Sequence, residues 1–306
     1  MDASKSKRLV ESYLEGSLSP QGWWPYKPGN SPSLEATAWS SFALCQNESI
    51  QKKTLPFLLS TQNEDGGWST APDTGFSDWV TGPVLMALRN IQKSDLKLDT
   101  SKRDLNRSIE KGLYHLSDNR PVFYPVVGRL LLLLTQGPDG VHFERGWPWD
   151  PDCFHWVEPT SYNLLALKAP GLPRQKVFQK IIFHANKYIL TKVCKGGGWN
   201  YGNRKTLGAW VKPFRVTTAE ALVALQDENR NKKAIQESIA HLISYKDQDT
   251  SALGLAWSII CLDAYEKDYS QELAFLISRQ KEDGSFTSNN VVNAIALLAL
   301  SDACGV

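Results

Sequence analysis

The chain has 306 residues and a formal charge of +2, with its lysines and arginines scattered along the sequence, so it carries no electrostatic footprint for nucleic acid. The longest apolar run, Leu130 to Leu134, is too short to span a bilayer, and no apolar stretch follows Met1–Arg8 as a signal peptide requires. The five cysteines are widely spaced and form no CxxC pair, which points to reduced thiols and a cytoplasmic protein.

Helical periodicity dominates, and no convincing alternating strand is present. In chain order, Lys5–Glu15 is charged on one side, Ser33–Leu44 is small and apolar, Ile50–Ser60 is charged and Trp79–Ile91 apolar. Ser101–Leu116 is charged again, and two apolar stretches follow, Tyr124–Leu134 and Thr160–Leu167, which breaks the alternation. Arg174–Val193 (charged), Thr217–Leu225 (apolar), Lys232–Ser244 (charged), Ser251–Leu262 (apolar), Gln271–Arg279 (charged) and Val291–Leu300 (apolar) complete the series. A helix that is apolar nearly all round is buried, and one with a charged face is not. Alternation of the two kinds predicts an all-α protein, a double ring of about six helical hairpins with the apolar helices inside. No low-complexity linker interrupts residues 1–306, which read as one domain.

One phrase recurs where apolar helical runs end. Its clearest copy is Phe57-Leu58-Leu59-Ser60-Thr61-Gln62-Asn63-Glu64-Asp65-Gly66-Gly67-Trp68. A second ends in Gln280-Lys281-Glu282-Asp283-Gly284-Ser285-Phe286, and a third is Leu132-Leu133-Leu134-Thr135-Gln136-Gly137-Pro138-Asp139-Gly140, with Trp147 and Trp149 beyond it. Gln21-Gly22-Trp23-Trp24 and Gly196-Gly197-Gly198-Trp199 are weaker echoes. Asp-Gly and Gly-Gly supply the positive φ that ends a helix and reverses the chain. The glutamine is placed to bond backbone groups left open at the helix end, and the aromatic to pack over the turn.

These residues resemble the QW repeats of the terpene cyclase and protein prenyltransferase superfamily, whose squalene-hopene cyclase-like members are α/α toroids. The similarity extends from about Gln21 to Leu300. Leu34-Glu35-Ala36-Thr37-Ala38, Val157-Glu158-Pro159-Thr160-Ser161 and Val216-Thr217-Thr218-Ala219-Glu220 support it as starts of inner helices. The resemblance implies a toroid with a central cavity walled by aromatic residues and a small apolar ligand, such as an isoprenoid.

Class II cyclases of that superfamily protonate an alkene with the middle aspartate of Asp-x-Asp-Asp. Such a group must be kept protonated by burial and by a neighbouring carboxylate. Trp156-Val157-Glu158-Pro159-Thr160 occupies the corresponding place, which puts Glu158 at the acid position and departs from the pattern on both sides of it. Asp150 and Asp152, in Asp150-Pro151-Asp152-Cys153, are the candidate second carboxylates, and His155 is a candidate proton carrier. Trp39, Trp79, Trp147, Trp156, Tyr162 and Glu35 are the candidate substrate-binding residues. Glu158 also suits a plain role at a helix N-terminus, and the two aspartates suit a turn beside Pro151.

No cofactor is expected. Asp152, Cys153 and His155 lack the ligand spacing of a prenyltransferase zinc site, and Asp-Asp-x-x-Asp clusters are missing. Arg145, Arg204, Lys205 and Arg215 read as solvated loop charges rather than a diphosphate cradle. A carbohydrate-active toroid, which also uses paired carboxylates, and a non-catalytic scaffold binding lipid or peptide are the alternatives. A homodimer or a partner domain is a further expectation, because class II cyclases of this type commonly use two toroids.

Overall fold

A computed structural model describes residues 2–118, 130, 131, 133, 134, 145–151, 153–169, 176–245 and 251–301. Twelve helices are bounded among them: α1 (Ala3–Ser17), α2 (Leu34–Ala43), α3 (Glu48–Ser60), α4 (Thr81–Lys93), α5 (Lys102–Asp118), α6 (Val157–Lys168), α7 (Lys176–Thr191), α8 (Arg215–Ala224), α9 (Lys232–Ser244), α10 (Ala252–Ala264), α11 (Ser270–Ser278) and α12 (Asn290–Ala299). Two short hairpins join them, β1 (Trp147–Pro148) with β2 (His155–Trp156), and β3 (Lys205–Thr206) with β4 (Ala209–Trp210). These ladders are only two residues long and serve as turn stems, so the fold is all-α.

The even-numbered helices form a closed inner ring. Each packs on the next, from α2 through α4, α6, α8 and α10 to α12, and α12 returns to α2. Their sequences demand this position: in α6 every residue from Pro159 to Leu167 is buried, as is every residue from Ala36 to Phe42 in α2. Such helices have no face for water and are stable only inside. The odd-numbered helices lie outside, with α3, α5, α7, α9 and α11 each resting on the even helix before it and α1 on α12. Of α1, only Ser6, Val10 and Leu14 are buried, a single stripe. Starts are capped where the sequence provides a short polar side chain. Asp2 accepts from the Lys5 N–H at 2.7 Å, and Ser33 accepts from the Ala36 N–H at 3.1 Å.

The apolar stretch expected as an inner helix at Tyr124–Leu134 lies outside the described residues except for Leu130, Leu131, Leu133 and Leu134. Those four are helical but exposed, and the inner ring closes without them. Apolar composition alone placed them inside, and here it misleads.

The recurrent phrase is a clip between hairpins. The indole N–H of Trp24 donates to Leu14 O at 2.8 Å, that of Trp68 to Leu58 O at 2.7 Å, and that of Trp199 to Ile189 O at 2.7 Å. Each indole thus satisfies a carbonyl of the outer helix that precedes it. Each backbone N–H of the same tryptophans donates to a threonine on the following inner helix, Thr37, Thr81 or Thr218, at 2.9–3.0 Å. The glutamine reaches further than its own turn. Gln62 Nε2 donates to Gly66 O at 2.7 Å and to Ser108 O in α5 at 2.9 Å. Gln280 repeats this on Gly284 O and on Ser6 O in α1, at 2.8 and 2.9 Å. Gly66 has φ +91°, and a Cβ there would fall 2.7 Å from the Lys111 carbonyl oxygen. The close approach of α5 to the turn is therefore open only to glycine.

Candidate functional site

The even helices run in the same direction around the ring, so equivalent positions on them lie at the same level. Counted from each helix start, Trp39, Met86, Tyr162, Glu220, Trp257 and Ile295 hold the same place. Three of these meet across the middle of the ring. The centroids of Trp39 and Tyr162 are 5.4 Å apart, those of Trp39 and Trp257 5.8 Å, and those of Tyr162 and Trp257 6.1 Å. They come from alternate helices, α2, α6 and α10, and together form an aromatic floor. Trp79 extends the floor outward, 5.9 Å from Tyr162, and Trp149 stands edge-on against Trp79 at 4.8 Å.

Carboxyl groups gather on this floor. Glu158, the second residue of α6, lies within reach of the Tyr162 hydroxyl at 3.3 Å, and the same hydroxyl donates to the fully buried Glu220 at 2.5 Å. The second oxygen of Glu220 has no hydrogen-bond partner. Glu35, the second residue of α2, accepts from the Tyr26 hydroxyl. Burial pushes the Glu158 carboxyl up to about 7, reinforced by the charge of Glu35 and opposed by the bond from Tyr162. Burial likewise pushes Glu35 up to about 7, with Tyr26 pulling the other way and Asp78 adding to the rise. Glu220 is raised well above the ordinary range by burial and by Glu158. The dipoles of α2 and α6 favour carboxylate charge at their first turns, but desolvation outweighs them. Near neutral pH this cluster therefore retains protons, and it can donate one.

Two recesses flank the cluster. One, of about 410 Å³, is lined by Glu158, Tyr201, Phe214, Val216 and Tyr245 among others. The other, of about 290 Å³, is lined by Asp78, Trp79, Trp147, Asp150, Asn163 and His115 among others.

Of the residues singled out from the sequence, Glu158, Glu35, Trp39, Trp79 and Tyr162 come together. Asp150 does not join them. It faces Asp78 in the smaller recess, so the carboxyl partners of Glu158 are Glu35 and Glu220. Asp152 lies outside the described residues. His155 is a correction. Its ring accepts from the Gly146 N–H at 3.3 Å and packs edge-on against Tyr188 of the outer helix α7 at 5.8 Å. Burial, with Lys192 and Arg145 nearby, pushes it down to about 4, so it is a neutral packing residue near neutral pH. Trp147 makes only the backbone half of a clip: its backbone N–H donates to Thr160 at 2.9 Å, and its buried side chain lines the smaller recess. Trp156 sits beside Tyr201 at 6.4 Å, to one side of the floor. Arg215, expected in solvent, is buried and paired with Glu272 and Ser258.

Glu220, Tyr26 and Trp257 were not singled out as site residues. A glutamate in mid-helix ordinarily reads as a solvated face. In α8 it is the one acid among Thr217, Thr218, Ala219, Ala221 and Leu222, and an isolated acid on an all-round buried helix was the available signal. Tyr162 holds the cluster together. Tyr162→Phe should leave both buried oxygens of Glu220 unpaired and lower stability by about 1–3 kcal/mol, measurable by urea unfolding. A loss below experimental error counts against the hydroxyl's linking role.

Among the described residues no group of three or more His, Cys, Asp and Glu side chains is placed to hold a metal ion. No family model matches the sequence, and no curated protein is significantly similar to it. Solved structures share the fold. A protein from Actinoplanes is 17% identical over 98% of this chain and 98% of its own, with a TM-score of 0.65. The type II terpene cyclase MstE from Scytonema, in complex with merosterolic acid A, is 14% identical over 99% of this chain and 97% of its own, at 0.63. An alpha-amylase from Clostridium perfringens is 12% identical over 96% and 97%, at 0.66. This chain is a toroid of the architecture that terpene cyclases and glycoside-cleaving enzymes share.

Proposed function

We propose that the chain is an acid–base enzyme of the terpene cyclase-like kind, acting on an isoprenoid or similarly apolar small molecule at the mouth of the ring. One observation carries this reading: a carboxyl group held protonated near pH 7, Glu158, lines a recess together with the aromatic side chains of Tyr201, Phe214 and Tyr245. In the first step the Glu158 proton passes to an alkene carbon, the π pair forms the new C–H bond, and Glu158 is left as a carboxylate. The carbocation lies against Tyr201, Phe214 and Tyr245 in the recess that Glu158 lines, where aromatic faces favour positive charge. Loss of a proton from the product cation to the Glu158 carboxylate restores the acid and completes the cycle. Burial sets the proton affinity of Glu158, and the charge of Glu35 adds to it. The cyclase MstE is matched over 97% of its own length, which supports the cyclase-like reading for a chain of this extent.

A glycoside-cleaving enzyme is the second reading. The aromatic floor at the middle of the ring leaves the recesses shallow, and several carboxyls surround them, as sugar hydrolysis needs. Incubation with polyprenyl arenes and with an oligosaccharide panel in D₂O separates the two. The expected result is a cyclised product carrying one deuterium at the protonated carbon. Shortened oligosaccharides, with the polyprenyl compounds returned unchanged, would replace the first reading with the second.

A further inference from the structure

Between Glu158 and Glu220 the chain contains no acidic residue, although its overall charge is close to balanced. The β3–β4 hairpin lies in this stretch and stands away from the body, every residue from Lys205 to Trp210 being exposed. Its turn is Leu207-Gly208, at φ +50° and +81°. Leu207 is wholly exposed. Left-handed backbone disfavours a leucine, and its side chain touches nothing that stabilises the fold. Trp210 is half exposed, with Lys205 Nζ 4.5 Å and Lys195 Nζ 5.9 Å from its ring centroid. Below it Phe214 and Tyr201, both exposed, lie 5.1 Å apart and line the 410 Å³ recess with Glu158. Exposed apolar side chains thus stand both on the hairpin and at the recess that Glu158 lines.

We propose that this hairpin docks the protein on an anionic lipid surface, with Leu207 and Trp210 entering the acyl boundary and Lys195, Lys205 and Lys212 meeting the lipid phosphates. An aliphatic tip, an interfacial tryptophan and flanking lysines are what a bilayer surface selects. No helix among the described residues is long and apolar enough to cross a membrane, so the contact is superficial. A single-stranded nucleic acid needs open aromatic faces for stacking, whereas Lys205 covers that of Trp210. The docking stands apart from the acid–base reading. Only its use, passing an apolar substrate along Phe214 and Tyr201 to Glu158, rests on that reading.

Co-sedimentation of the full chain with vesicles tests it. Binding is expected to phosphatidylcholine vesicles containing phosphatidylglycerol, at least about tenfold tighter than to phosphatidylcholine alone, and weakening as salt rises. Leu207→Asn suits the left-handed turn and should keep Tm at or above that of the wild type while lowering binding about tenfold. Lys205→Glu should lower it further, and Glu158→Gln should not change it, whatever becomes of turnover. Three results would each overturn the proposal. These are failure to bind anionic vesicles, unchanged binding by a Leu207→Asn/Trp210→Ala double variant, and an RNA oligomer bound more tightly than the vesicles.

Discussion

Glu158→Gln should reduce turnover by about 10²–10⁴-fold and, in the same protein, remove part of the pH dependence of stability. The amide keeps the shape and the contact with Tyr162 but has no proton to give. The stability effect has a definite sign. In the folded chain Glu158 and Glu35 hold their protons up to about pH 7, while in the unfolded chain they release them near the ordinary glutamate value of 4.5. Between those values the native state binds more protons, so stability falls as pH rises through the window. Tm of the wild type should therefore decline from pH 5 to pH 8. One pKa unit is about 1.4 kcal/mol, so Glu158→Gln should gain about 2–3 kcal/mol on the wild type at pH 8 relative to pH 5. A wild-type Tm that is level across this range would show that the cluster is not protonated, and the acid assignment would fall with it.

Trp68→Ala should cost about 3–5 kcal/mol, read as a fall in the urea midpoint. The indole is fully buried, and its loss opens a cavity where the outer helix α3, the inner helix α4 and the turn meet. It also strands the Leu58 carbonyl, which the indole N–H satisfies at 2.7 Å. The half-exposed Trp210 is the control: Trp210→Ala should change stability by no more than about 0.5 kcal/mol. Equal costs for the two would mean that the recurrent tryptophans are not what joins the hairpins.

The fold was readable because the same physical demand is repeated. Each hairpin must hide an all-apolar helix and reverse the chain, and residues such as Gln62, Gly66 and Trp68 record both needs within a few positions. The site was readable only in part. Glu35 and Glu158 stand at helix starts, Trp39 and Tyr162 lie on inner helices, and Trp79 precedes the inner helix α4 by two residues. Glu220 was missed because its partners, Tyr162 and Glu158, are distant in sequence and only ring closure brings them near. Asp150 and His155 were misplaced for the opposite reason. They lie near Glu158 along the chain, but the β1–β2 hairpin directs Asp150 to another recess and His155 against α7. Tyr124–Leu134 shows the limit of composition, since the described leucines of that run are exposed.

The bond from Gln280 to Ser6 joins positions 274 residues apart. Open solenoids protect their first and last units with specialised end pieces; here α12 performs that service for α2, and α2 for α12. A fragment missing any one hairpin would thus bare two sticky flanks at once. During synthesis the ring of inner helices cannot close until α12 has emerged to meet α2.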